Sequence, residues 1–342
     1  MAKDINVKVD KRIELLGVCL RLSCYKEKLP SLVIELKNYP YLEEVEKWFA
    51  PFKEHKAIKT LNEIIKTLSF GYDAPVFLML QVDDNLNFHG QDRYPFATRL
   101  NKSPLVLKFL DELKDFVKVS KFDKFFDSHK EFYNSEIDSF NKALPLNDVL
   151  PFMRKLFHKD FADREFNIIL SLLSTSGGYG CSDITGKKFY CVDSKRRDAQ
   201  NNASGWGYDS RAGARSHYLH EFCHSIINPL TDKYIKQIEN FEIPNAEKER
   251  LARNAYAGNV PIINEFIIRA IQVCYIKDVN EDCSQFLSFN EERIGYNKKV
   301  LLNLAEKLEE VKNSNSNFED RFVEIANVIP KTYASLQKEK IN

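Results

Sequence analysis

No stretch of 18 or more apolar residues occurs in this 342-residue chain, so the sequence offers no helical membrane span. An apolar leader is missing too: MAKDINVKVDKRIELL is charged throughout. The expectation is therefore a cytoplasmic protein, with a mature exported form as the alternative. Charge of one sign is lacking, since 50 Lys and Arg face 49 Asp and Glu for a net +1. That balance argues against a nucleic-acid groove or an anionic membrane surface as partner. Glycine and proline are scarce, at 12 each, which disfavours an architecture of many short strands and tight turns. None of the seven cysteines (Cys19, Cys24, Cys181, Cys191, Cys223, Cys274, Cys283) belongs to a CxxC pair. A cysteine zinc ribbon is excluded, and an odd number of thiols leans towards a reducing compartment.

What is present is a core. Hydrophobic residues make up 44% and charged residues 29%, the balance of a folded chain rather than a disordered one. With 25 Phe and 15 Tyr, aromatic area carries much of that core. Residues 5–9 (INVKV) alternate as a short strand does, and apolar positions then recur at helical spacing from Asp10 to about Phe161. Pro40, Pro51, Pro75, Pro95, Pro104 and Pro145 punctuate these segments. The texture changes near residue 163. EFNIILSLLSTSGGYG is β-branched before it reaches Gly-Gly, KKFYCVD is a second strand candidate, and residues 194–210 form a polar loop. Helical spacing returns over 211–227, 246–256, 261–277, 296–312 and 318–336. The expected fold class is α+β, mainly helical. Residues 1–160 form a helical region, and 161–342 carry the small sheet and the remaining helices; one integrated domain is the alternative.

The chemistry lies in RAGARSHYLHEFCHSIINP, which contains His220-Glu221-Phe222-Cys223-His224, an H-E-x-x-H. At about 100° per residue, His220, Glu221 and His224 share one arc of a helix with His217 and Gly213. Leu219, Phe222, Cys223 and Ile226 face a core. Two imidazoles one turn apart can both reach a zinc ion at ~2.0–2.1 Å, while the adjacent Glu faces the water that the metal activates. Cys223 faces away and reads as a small buried hydrophobe. Asn228-Pro229 is expected to stop the helix. One zinc per chain needs a third protein ligand, and Glu265 is the choice. It lies in VPIINEFIIRAIQVCYI, apolar on nearly every face, where a carboxylate is costly unless paired or bound to metal. A pair with Arg269, one turn on, is the competing and compatible reading. Glu239, Glu242, Glu247 and Glu249 stand in polar surroundings and read as solvated.

His220-Glu221-Phe222-Cys223-His224 followed by Asn264-Glu265 resembles the gluzincin metallopeptidases, in which a later helix supplies the third, carboxylate ligand. VDKRIELLGVCLRLSCY, YDAPVF, HEFCHSIINP and NEFIIRA together are similar to the DUF4932 family. The resemblance implies a zincin-like catalytic region and a peptide or protein substrate. It also gives IILSLLSTSGGYG the place of a cleft-side strand; a buried central strand is the equal alternative. Arg269 stands where thermolysin-like members commonly carry an Asp that orients a zinc-bound histidine. The expected activity is zinc-dependent peptide hydrolysis with Glu221 as general base. Hydrolysis of a non-peptide amide or ester, and a non-catalytic binding protein, are the alternatives. His217, Tyr256 and Tyr275 are the candidate donors to a developing oxyanion.

Overall fold

A computed structural model describes residues 5–29, 35–68, 70–71, 73–89, 103–173, 178–183, 185–206, 211–253 and 258–339. The chain folds as two compact units built from interleaved segments. One comprises 5–145 with 164–207, the other 1–4, 146–163 and 208–342.

The first unit carries a four-stranded mixed sheet in the order β1-β2-β4-β3, with β1 Asn6–Lys8, β2 Glu165–Ser171, β3 Gly178–Ser182 and β4 Lys188–Ser194. β1 and β4 run parallel to β2, in register Asn6↔Asn167 and Glu165↔Lys188. β3 pairs antiparallel to β4. From Phe166 to Ser171 every residue of β2 is buried, as expected of a parallel strand covered on both faces. Residues 166–171 are therefore the central strand of the two readings, while 178–180, the end of the same segment, lie on β3 at the edge of the sheet. Residues 174–177 lie outside the described residues.

The longer helices of this unit are α1 (Lys11–Leu22), α2 (Pro40–Phe49), α3 (Lys56–Thr67), α4 (Pro104–Ser120) and α5 (Lys130–Ala143). Asp10 starts α1 by accepting from the Arg12 N–H at 3.0 Å and from its guanidinium at 2.8–2.9 Å. Burial alone would raise the Asp10 carboxyl, but the Arg12 hydrogen bonds and charge outweigh it and hold it down at about 2. Gly17 is required by packing: a Cβ there would stand 2.6 Å from the Leu173 Cβ.

In the second unit the longer helices are α6 (Val149–Phe157), α7 (Arg211–Lys233), α8 (Asn259–Asp278), α9 (Lys298–Lys312) and α10 (Val328–Glu339). α8 packs between α7 and α9. Its Ile262, Ile263, Phe266, Ile267, Ile268, Ile271 and Val273 are all essentially inaccessible. Each such side chain contributes about 1.5–3 kcal/mol on burial, enough to hold charged groups on the same helix out of water. The fold is α+β and mainly helical, as the periodicity implies. All seven cysteines are free thiols. Among the described residues no helix is long and apolar enough to cross a membrane.

The expected stop at Asn228-Pro229 does not occur. α7 continues through Pro229 to Lys233. A proline inside a helix costs ~3 kcal/mol, so the next turn needs anchoring. Thr231 Oγ1 supplies it, bonding the Ile227 carbonyl at 3.0 Å and the Asn264 side chain on α8.

Candidate metal centre

α7 and α8 bring together three side chains far apart in sequence. His220, His224 and Glu265 each offer one ligand atom, and those atoms lie within 4.8 Å of one another. The two imidazole Nε2 atoms are 3.2 Å apart. Glu265 Oε1 is 3.4 Å from His224 Nε2, and Oε2 is 3.6 Å from His220 Nε2. A tetrahedral centre with bonds of ~2.05 Å has edges of about 3.3 Å. The donors are of a kind, and close to the spacing, that could hold such an ion, with a different Glu265 oxygen nearest each histidine. Glu265 Oε2 is buried and makes no hydrogen bond among the described residues, although Arg269 Nη2 forms an ion pair with it at 3.0 Å.

The hydrogen bonds around the imidazoles settle which nitrogen faces the centre. Gln272, two turns beyond Glu265, donates its amide N–H to the Ser216 carbonyl at 2.9 Å and to Ser216 Oγ at 3.2 Å. Its Oε1 is thereby turned to His220 Nδ1 at 3.0 Å. Nδ1 carries the proton and Nε2 presents its lone pair. Asn228 Oδ1 does the same for His224 Nδ1 at 3.2 Å. Neither amide was singled out from the sequence, because a neutral side chain at helical spacing carries no chemical signature.

Burial and charge divide the titration of the site. Burial alone would lower His220, but the Glu265 carboxylate outweighs it and raises that imidazole. His224 is depressed to about 4 by burial and by the neighbouring His220. Burial would raise Glu265, yet His220 and Arg269 keep its carboxyl well below the ordinary range. The pair with Arg269 is formed, and the same carboxylate also faces the histidine pair, where it could serve a metal ion. Arg269 is fixed in turn by Asn290 Oδ1 at 2.7 Å and by the Tyr296 ring at 4.8 Å.

Glu221 follows His220 directly and stands outside the ligand cluster, with 11% of its side chain exposed and Oε1 3.9 Å from His217 Nδ1. Cys223 is buried, and burial pushes its thiol above the ordinary range. Tyr275 is committed elsewhere: its hydroxyl accepts from Arg215 Nε at 2.7 Å and donates to Asp148 at 2.9 Å. Tyr256 lies outside the described residues. Among the carboxylates read as solvated, Glu239, Glu242 and Glu249 are exposed. Glu247 is half-buried instead and accepts the Asn297 N–H at 3.0 Å.

A family model described as a domain of unknown function, DUF4932, matches residues 5–331, and the chain belongs to that family. No curated protein and no solved structure matches it.

Proposed function

We propose that this member of the DUF4932 family is a zinc-dependent hydrolase acting on peptide bonds. The observation that carries the reading is the convergence of two bare Nε2 atoms and one carboxylate, with a second carboxylate, Glu221, next to the first histidine and outside the ligand set. His220, His224 and Glu265 would hold the ion. Zinc bound there supplies Lewis acidity to a scissile carbonyl and lowers the pKa of an attacking water. Three protein ligands, none of them cysteine, are the pattern of a catalytic rather than a closed structural site.

Glu221 takes the proton of the attacking water and returns it to the leaving amine. His217, whose Nδ1 lies 3.9 Å from Glu221 Oε1, is our candidate donor to a developing oxyanion. A purely structural metal site has no use for a base at position 221, which is why a catalytic reading is preferred to a binding one.

The test joins metal content to turnover. Protein purified without added metal should carry about one zinc per chain by elemental analysis, lost in H220A and H224A. Glu221→Gln should keep the zinc while peptide hydrolysis falls by ~10²–10⁴. Stoichiometric zinc in the double histidine mutant would overturn the site, and undiminished turnover in Glu221→Gln would overturn the mechanism. A panel of peptide, small amide and ester substrates separates peptidase from other hydrolase activity.

A further inference from the structure

The unit formed by residues 5–145 and 164–207 contains a cavity of about 620 Å³, within the range of small-ligand sites. Three segments wall it. The start of α2 contributes Tyr39, Tyr41 and Glu44, α5 and its first turn contribute His129, Phe132 and Glu136, and the loop after β4 closes the third side. One wall is aromatic. The Tyr41 ring lies 4.9 Å from Phe132 and 5.2 Å from His129, and Tyr39 lies 6.3 Å from Phe132.

Charge at this wall is uneven. Lys195 is the one Lys or Arg in the lining, and its ammonium is already engaged: it pairs with Glu136 Oε2 and sits 5.0 Å over the Trp206 ring. Trp206 Nε1 donates to that same carboxylate oxygen at 2.8 Å. Glu136 Oε1 accepts no hydrogen bond among the described residues. Glu44 is 62% exposed and meets only His129 Nε2, at 3.2 Å. The His129 Nδ1 faces the Phe125 carbonyl at 2.8 Å. Two carboxylates and three aromatic rings thus line a space in which, among the described residues, the one ammonium is already paired.

We infer that this cavity is a binding site for an organic cation, an ammonium or guanidinium on an apolar body. The positive group lies against the ring faces and donates to Glu44 and Glu136, while the apolar body fills the space beside the 203–205 loop. Gly205 lines the cavity, and among the described residues a Cβ placed on it would meet nothing within 4 Å. The inference does not depend on the metal centre.

The full chain is titrated by calorimetry with tyramine and with 4-hydroxyphenylacetate, which share a ring and differ in charge. Tyramine should bind saturably and 4-hydroxyphenylacetate should not. Glu44→Gln should weaken tyramine by roughly 1.5- to fivefold, the scale of one exposed charge contact. Gly205→Leu, which projects a side chain into open space, should abolish binding while the melting temperature holds. The capped dipeptide acetyl-Tyr-Lys-amide is run alongside: tighter binding than tyramine assigns the site to a basic peptide side chain, weaker binding to a free amine. The inference fails if tyramine shows no saturable binding, if the carboxylate analogue binds as well, or if folded Gly205→Leu binds like the parent.

Discussion

His220 and His224 each lean on a neutral amide, Gln272 and Asn228, rather than on a carboxylate. An amide oxygen orients the ring and fixes the proton on Nδ1, but it adds less electron density to the imidazole than a carboxylate does. Gln272→Ala should therefore weaken zinc by ~10–100-fold, the usual cost of losing such a partner, and Gln272→Glu should bind tighter than the parent. A competition titration with a chromophoric chelator reads both, and equal affinities in all three proteins would remove Gln272 from the centre. Arg269 and Glu265 form the second residue-scale test. Glu265→Gln removes a ligand, whereas Arg269→Met removes only a brace, so zinc affinity should fall in the order parent, Arg269→Met, Glu265→Gln. If Glu265→Gln lowers the melting temperature and leaves zinc affinity unchanged, Arg269 is the carboxylate's only partner.

Elements are held by local exceptions as much as by regular packing. α1 is buried on almost every side, from Ile13 to Leu20, and it approaches the end of β2 so closely that only hydrogen fits at Gly17. Alanine there would gain about 1 kcal/mol of helix propensity. It would also force a Cβ against the Leu173 Cβ, and overpacking of this kind costs typically 1–3 kcal/mol. The second effect is larger, so Gly17→Ala should lower the melting temperature; a rise would show that α1 can move away at little cost. α7 presents the opposite case, a helix that continues where its proline predicts an end. The turn after Pro229 is tied to α8 through Thr231 and Asn264, next in sequence to the candidate ligand Glu265.

At the scale of the whole molecule, buried carboxyls set how stability follows pH. Glu14 accepts from the Leu172 N–H at 3.0 Å and from the Tyr41 hydroxyl at 2.8 Å. Burial nevertheless dominates and raises its carboxyl from 4.5 to about 7. The folded chain therefore keeps this proton after the unfolded chain has lost it. Stability contributed by Glu14 is complete below pH 4.5 and declines as pH rises to about 7, by roughly 3 kcal/mol. Asp10 works in the other direction. Its carboxyl is held at about 2 against an ordinary 3.8, so its contribution is present above pH 3.8 and lost on acidification towards 2. His224, held at about 4 in the metal-free chain, contributes in the opposite sense over much of this range, so the readout is a difference: in denaturant melts the stability of the parent relative to Glu14→Gln should fall between pH 4.5 and 7. An unchanged slope in the variant would place the titrating group elsewhere.

The spacing of His220, Glu221 and His224 and the isolation of one carboxylate on an apolar helix were readable along the chain. Ligand chemistry constrains residue type and period, and both are one-dimensional. The same holds for β1 and β4, for the mainly helical class and for the DUF4932 resemblance, although the resemblance was legible only over roughly residues 5–280 and the family match runs to 331. Three features were decided only by tertiary contacts. Gln272 and Asn228 became partners of the histidines because neutral amides acquire a role from what faces them. Pro229 failed to end α7 because anchoring in the following turn offset a local cost. Residues 166–171 became an interior strand because β1, from the start of the chain, pairs along one side and β4 along the other. A pattern of apolar residues says that a segment is buried, and only the assembled sheet says between which neighbours.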